Sequence, residues 1–265
     1  MIEKLYVQLC TVGRFMKTPE DIRATFKNLK EIGYSGGQTA GSGGVTYQEL
    51  ADIAKECDFE IIGTHYDPQL LINNFDETVE VHKYLGTTNF GVGGGHMAGT
   101  SRQNLEDYLV LANSLADKLS KHGMKYTYHN HWWEFDRMSD ADERLWDKLV
   151  EGLDKEKTSF VLDTYWVAYT GSDVVYWIEQ LKDRIDIIHL KDRGYTKVQT
   201  KSPEEDPIQL DITEVGYGNL NWDGIMEACE KSGVKYYCVE QEKNFINDDP
   251  FESLKASAEF LKKYM

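Results

Sequence analysis

Eight times along the chain, a short run of apolar, β-branched and aromatic residues is followed by a segment of helical periodicity, and this alternation leaves few folds open. The runs are Lys4–Cys10, Ser35–Thr39, Phe59–His65, Asn89–Gly93, Met124–His131, Ser159–Asp163, Ile185–Leu190 and Tyr236–Glu240. The helical segments between them are Pro19–Ile32, Thr46–Cys57, Asn74–Leu85, Ser101–His122, Asp140–Gly152, Asp173–Lys182, Trp222–Ser232 and Phe251–Tyr264. Several open on a capping residue or proline and close near glycine, as Thr18-Pro19 to Gly33 and Asn221 to Gly233 do. Unbroken strand-then-helix alternation predicts an α/β fold, a (β/α)8 TIM barrel spanning residues 1–265 as a single domain, since such barrels use about 250 residues. An open doubly wound sheet would show a glycine-rich phosphate turn after its first strand, and here the chain reads Cys10-Thr11-Val12-Gly13-Arg14. The one long irregular piece, Arg193–Asn221, carries Ser202-Pro203-Glu204-Glu205-Asp206-Pro207 and reads as a lid or binding loop, or as a solvated acidic excursion.

Composition narrows the function classes. The chain has 29 basic and 45 acidic residues, a net charge of −16, which repels nucleic acid across the whole surface. No apolar run reaches the ~18 residues of a membrane span, and the start lacks the pattern of a secretion signal, so a cytoplasmic protein is expected. The four cysteines, Cys10, Cys57, Cys229 and Cys238, form no CxxC pair and read as reduced core residues.

Barrel enzymes build their sites at the carboxyl ends of the strands, and five of the seven histidines fall there. The third strand ends at His65, the fourth leads to Gly93-Gly94-Gly95-His96, and the fifth runs into Tyr128-His129-Asn130-His131-Trp132-Trp133-Glu134-Phe135. Leu162-Asp163-Thr164-Tyr165-Trp166, His189-Leu190-Lys191-Asp192 and Val239-Glu240-Gln241-Glu242 close the sixth, seventh and eighth. A lone strand-end aspartate caps a helix or joins an ion pair as readily as it binds metal. Asp163 and Glu240, however, both end strongly apolar strands and need positive charge, from Lys191 or from a divalent cation. With candidates on four consecutive strands the cation is the stronger reading, and a donor set richer in oxygen than nitrogen suits Mn2+, Mg2+ or Co2+, with Zn2+ as a further option.

The segments YHNHWWEF, LDTYW, HLKD, EVGYGNLNW and VEQE, in this order and spacing, resemble the sugar phosphate isomerase/epimerase family with the xylose-isomerase-like barrel. The resemblance implies one divalent metal held by a carboxylate near strand 5, with Asp163, His189 and Glu240 matching the family's ligands on strands 6, 7 and 8. On strand 5, Glu134 is the expected ligand and His129 the alternative, because His129 occupies the place where ketose epimerases carry a glutamate. Glu134 and Glu240 are then the expected acid–base pair, with His131 as a further catalytic residue or as a support for Glu134. His65, His96, His129, Trp166, Lys191 and Gln38 are the expected substrate contacts. Gln38 stands where relatives often carry glutamate, and an amide binds hydroxyls but is no base. Lys191 and Arg193 are also placed to meet a phosphate.

The activity implied is isomerisation or epimerisation of a ketose, sugar phosphate or related polyol ketone, by proton abstraction next to a metal-bound carbonyl. The same machinery serves a dehydratase or lyase acting on an inosose or 3-keto-sugar. A sugar-binding barrel without catalysis and a three-zinc nuclease are the readings of other classes, and the nuclease would want a further histidine where Thr164-Tyr165-Trp166 stands. A small sugar or keto-inositol is the expected partner, and dimers or tetramers are unsurprising in this family.

Overall fold

The computed structural model describes residues 2–93, 100–197, 202 and 208–265. His96 with Gly94 and Gly95, and Pro203-Glu204-Glu205-Asp206-Pro207, lie outside the described residues.

Eight parallel strands form the barrel: β1 Leu5–Gln8, β2 Tyr34–Gln38, β3 Glu60–Gly63, β4 Asn89–Gly93, β5 Lys125–His129, β6 Thr158–Asp163, β7 Ile185–Leu190 and β10 Tyr236–Val239. Seven neighbouring pairs are laddered in the order β3-β2-β1-β10-β7-β6-β5-β4. The eighth seam closes by backbone bonds from Thr64 to Asn89 (3.2 Å) and Tyr66 to Gly91 (2.7 Å), with the Asn89 amide donating to the Ile62 carbonyl. Closure leaves the barrel no free strand edge, so each predicted apolar run finds both of its neighbours.

The helices pack outside: α1 Pro19–Ile32, α2 Tyr47–Glu56, α3 Pro68–Asn73, α4 Phe75–Leu85, α5 Arg102–Ser120, α6 Leu145–Gly152, α7 Thr164–Tyr169, α8 Val174–Gln180, α9 Trp222–Lys231 and α10 Pro250–Leu261. Local chemistry sets their ends. Thr18 and Asp21 form a capping box at α1, whose Pro19 sits where its missing N–H costs nothing. Gly86 ends α4 in the left-handed region (φ 76°) that L side chains avoid.

Two elements depart from expectation. The Arg193–Asn221 piece is not irregular throughout: β8 Asp192–Lys197 and β9 Ile208–Thr213 pair antiparallel as a hairpin, from Asp192 opposite Thr213 to Lys197 opposite Ile208. The segment after Asp163, read only as site residues, forms α7 directly. Nor are all cysteines core residues: Cys229 and Cys238 are buried, but Cys57 is half-buried and Cys10 exposed, since the chain leaves β1 into a 3-10 turn at the barrel mouth.

A large apolar layer lies between barrel and helices, and a small plug of Tyr6, Ile62, Val161, Ile187 and Cys238 fills the barrel interior. Because strand side chains alternate, the residues two positions further along face the same interior one layer higher. From Tyr6, Val161, Ile187 and Cys238 that step leads to Gln8, Asp163, His189 and Glu240, all buried. The apolar plug is thus the floor of a polar chamber. Among the described residues, no helix is long and apolar enough to cross a membrane.

Candidate active site

His129, Asp163, His189 and Glu240, from the ends of four adjacent strands, bring one ligand atom each to within 4.8 Å of one another. Asp163 divides its two oxygens. Oδ1 caps α7 by accepting from the Tyr165 and Trp166 backbone (2.8 and 3.1 Å), which turns Oδ2 into the chamber. The capping and the metal readings of this residue therefore both describe it. Oδ2 lies 3.6 Å from His129 Nε2 and 3.9 Å from His189 Nδ1, beyond hydrogen-bond reach. His189 Nδ1 approaches Glu240 Oε2 to 2.9 Å without hydrogen-bond geometry.

Asp163 Oδ2, both ring nitrogens of His129 and Nδ1 of His189 are therefore buried polar atoms without a hydrogen-bond partner. Each such atom costs about 1–3 kcal/mol, and four in one place are unaffordable unless something satisfies them together. One atom from each of His129, Asp163 and His189, together with a Glu240 oxygen, lies close enough to the others to share a divalent cation. The donors are two imidazoles and two carboxylates, so oxygen does not outnumber nitrogen as the sequence suggested.

Lys191 is the one cation in the chamber among the described residues, fully buried, with Nζ 3.4 Å from Glu240 Oε2, 3.7 Å from Asp163 Oδ2 and 2.8 Å from Glu242 Oε2. Burial alone would lower its pKa, but Glu240, Asp163 and Glu242 outweigh burial and raise it. Burial likewise pushes Asp163 up to about 7 although Lys191 opposes the shift, the mark of a carboxylate short of positive charge. In Glu240 the opposite holds: burial would raise it, but the Lys191 ammonium holds it well below the usual range.

Glu134 is not brought to this group. It is buried on the outward side of the turn after β5, where Oε1 accepts from the Tyr128 hydroxyl (2.8 Å) and Oε2 from the His131 backbone (2.9 Å). Tyr128 alternates with His129 along the strand and faces the helices, so a side chain tied to it is turned from the barrel axis. Burial raises the Glu134 carboxyl to about 7. Of the two strand-5 candidates, His129 is the one whose ring lies in the cluster.

The expected substrate contacts divide. His65 and His131 border the cluster, with ring centroids 5.0 and 4.6 Å from His129, and burial lowers both pKa values to about 4, leaving neutral imidazoles. His131 stacks on Trp133 at 4.2 Å and faces Trp166 at 5.9 Å. Lys191 Nζ lies 5.1 Å from the Trp166 ring and 5.6 Å from Tyr165. Gln38 is fully buried behind His189, bonded to it at 2.6 Å, and does not reach the mouth. Arg193, expected to meet a phosphate, donates to the Ala168 carbonyl instead.

Two roles were not read from the sequence. The Asp192 carboxylate accepts from the backbone of Arg193 (2.7 Å), Gly216 (2.8 Å) and Gly218 (3.1 Å) and from Trp222 Nε1 (2.6 Å), organising the turn before α9. Cys10 Sγ donates to Glu240 Oε1 at 3.3 Å across the mouth. The GYGNLNW spacing carried a signal for the first, since two glycines leave their amides open to a common acceptor.

The fold agrees with comparisons to known proteins. A sequence profile of the xylose isomerase-like TIM barrel family matches residues 26–264. An inosose dehydratase of Geobacillus thermodenitrificans is 30% identical over 152 residues, 54% of this chain and 49% of that protein. The chain thus matches about half the length of that relative. Among solved structures, a sugar phosphate isomerase/epimerase from Parabacteroides distasonis superposes with a TM-score of 0.80 at 21% identity, covering 97% of this chain and 93% of that one. A probable 3-DHS dehydratase from Bacillus anthracis gives 0.73 at 16%, covering 97% and 98%. With the profile covering all but the first strand, its turn and the first half of α1, and with the closed eight-stranded barrel, the chain belongs to the xylose isomerase-like TIM barrel family.

Proposed function

We propose that this protein is a divalent-metal-dependent carbon–oxygen lyase that removes water, or another β-substituent, from a small uncharged keto-polyol or keto-sugar. The observation that carries the metal is the set of orphaned lone pairs on His129, Asp163 and His189, with Glu240 beside them. A bound cation supplies Lewis acidity at a substrate carbonyl, which makes the neighbouring C–H bond more acidic. The rest falls to the chain's own residues. His131, a neutral imidazole with its buried Nδ1 unpartnered, takes the proton. The C–H electron pair becomes the new C=C bond as the β C–O bond breaks, and His131, now carrying the abstracted proton, hands it to the departing oxygen, which leaves as water. Lys191, held charged, faces the oxygen on which negative charge develops.

Elimination is favoured over epimerisation because the carboxylate expected opposite Glu240 is turned away on Tyr128, leaving histidines in its place. The inosose dehydratase relative supports the same choice. Isomerisation or epimerisation, in which the proton returns to carbon, is the second reading; His131 is equally placed for that return. The substrate is read as uncharged because the positive charge of Lys191 is already balanced by three carboxylates, which leaves no net positive charge there for a phosphate.

The test separates holding the ion from chemistry. Elemental mass spectrometry should find about one divalent ion per chain in wild type and Glu134→Gln, and a large loss in His129→Ala. His131→Gln should keep the ion and lose solvent-deuterium exchange and enone formation from keto-inositols by at least about 100-fold. Metal loss in Glu134→Gln with retention in His129→Ala would reverse the strand-5 assignment. Deuterium exchange without enone would replace the lyase by the isomerase.

A further inference from the structure

The buried layer behind the site determines which nitrogen of His189 faces it. Gln38, on β2, reaches across the barrel floor, and its amide nitrogen donates to the Thr64 carbonyl at 3.1 Å. A carbonyl can only accept, so this contact fixes which end of the amide is nitrogen and which is oxygen. The oxygen, Oε1, therefore meets His189 Nε2 at 2.6 Å and Gln8 Nε2 at 3.3 Å. An amide oxygen is an acceptor only. His189 Nε2 must then carry the proton, and in a neutral ring Nδ1 is bare, directed at Asp163 and Glu240. Gly91 makes room for the arrangement: a Cβ there would lie 1.8 Å from the Thr64 carbonyl oxygen and 3.2 Å from Gln38 Nε2.

We propose that Gln38 is a positioning residue that selects the Nε2–H tautomer of His189 and thereby makes Nδ1 its metal-binding atom. The proposal rests on the metal site of the preceding section. Without the amide oxygen the ring loses the partner that distinguishes its two nitrogens, and a fraction of the population presents N–H, which binds no cation, to the chamber. Partners of this kind behind a ligating histidine typically change metal affinity by roughly 10- to 100-fold.

Three variants and two readouts test this. Gln38→Met keeps the volume but removes the acceptor; Gln38→Glu keeps an acceptor; Gln8→Met removes the other donor without touching His189. Competition dialysis with Mn2+ and Co2+ should show Gln38→Met weakened about 10- to 100-fold, with Gln38→Glu and Gln8→Met within about threefold of wild type. Nitrogen-15 histidine NMR of the metal-free protein, with His189 identified through His189→Gln, should show a protonated Nε2 and bare Nδ1 in wild type and tautomer exchange in Gln38→Met. A merely structural role for Gln38 would lower the melting temperature without moving that signature. An Nδ1–H tautomer in wild type, or undiminished affinity in Gln38→Met, overturns the proposal. If wild type bound no cation, the functional reading would fall while the NMR arm still decided the tautomer; if Gln38→Met failed to fold, wild-type NMR and Gln38→Glu would decide it.

Discussion

His82 shows how one side chain can be tied to the barrel's integrity without touching substrate. It lies fully buried on α4, with Nδ1 donating to the Thr78 carbonyl (2.8 Å) and Nε2 therefore free to accept from the Thr64 hydroxyl (2.7 Å). Its ring stacks on Phe90 at 4.6 Å. Burial lowers its pKa to about 4, against a partial rise from the Thr78 bond. The unfolded chain titrates near 6.5, so between these values the unfolded state binds the extra proton and acid favours unfolding. Stability from this residue is complete above about pH 6.5 and should fall by about 2 kcal/mol at pH 5. Urea unfolding at pH 7 and 5 checks this: His82→Phe should make the loss between the two smaller by about 2 kcal/mol, leaving the shares of His65 and His131, and an unchanged loss would show that other groups carry it.

At the scale of elements, the turn before α9 depends on one carboxylate. Asp192 gathers two glycine amides, its neighbour's amide and the Trp222 indole, linking the start of β8 to the helix that precedes β10. Asp192→Ala leaves these donors without their acceptor and should cost about 2–4 kcal/mol in urea unfolding. The same substitution should loosen the segment before α9 in hydrogen exchange well before the barrel strands open. A loss under about 0.5 kcal/mol would mean that water replaces the carboxylate freely. The hairpin β8–β9 escaped sequence reading for a related reason. Its burial runs from Asp192, buried, to the exposed Tyr195, Thr196 and Lys197, and Ile208, Gln209 and Leu210 opposite are also exposed, so no apolar face marks it as sheet.

For the whole molecule, an ion bound only by the closed barrel adds its binding free energy to folding. At 100 times its dissociation constant the gain is about 2.7 kcal/mol, or about 5 °C in melting temperature for a chain of this size. Thermal melts with Mn2+ and with chelator should differ by that amount in wild type and coincide in Asp163→Asn; equal curves in wild type would mean no ion binds the native state. The barrel itself was legible in the sequence, because alternation of strand and helix is a local pattern and each period reports which face is buried. Asp163, His189 and Glu240 were legible too, since a polar residue ending an apolar strand must lie at the rim. What the linear pattern does not hold is the direction of a side chain beyond its strand. Glu134 lies five positions beyond His129, and whether that carboxylate returns to the axis depended on Tyr128 being placed to bond it on the outward side. Gln38 was assigned to the substrate side because its contacts with Gln8, Thr64 and His189 exist only once β1, β2, β3 and β7 enclose a common interior. Periodicity, capping residues and strand-end chemistry, all short-range, determined fold and rim; partners distant in sequence, brought together by closure, decided which of the rim's side chains meet and which nitrogen or oxygen each presents.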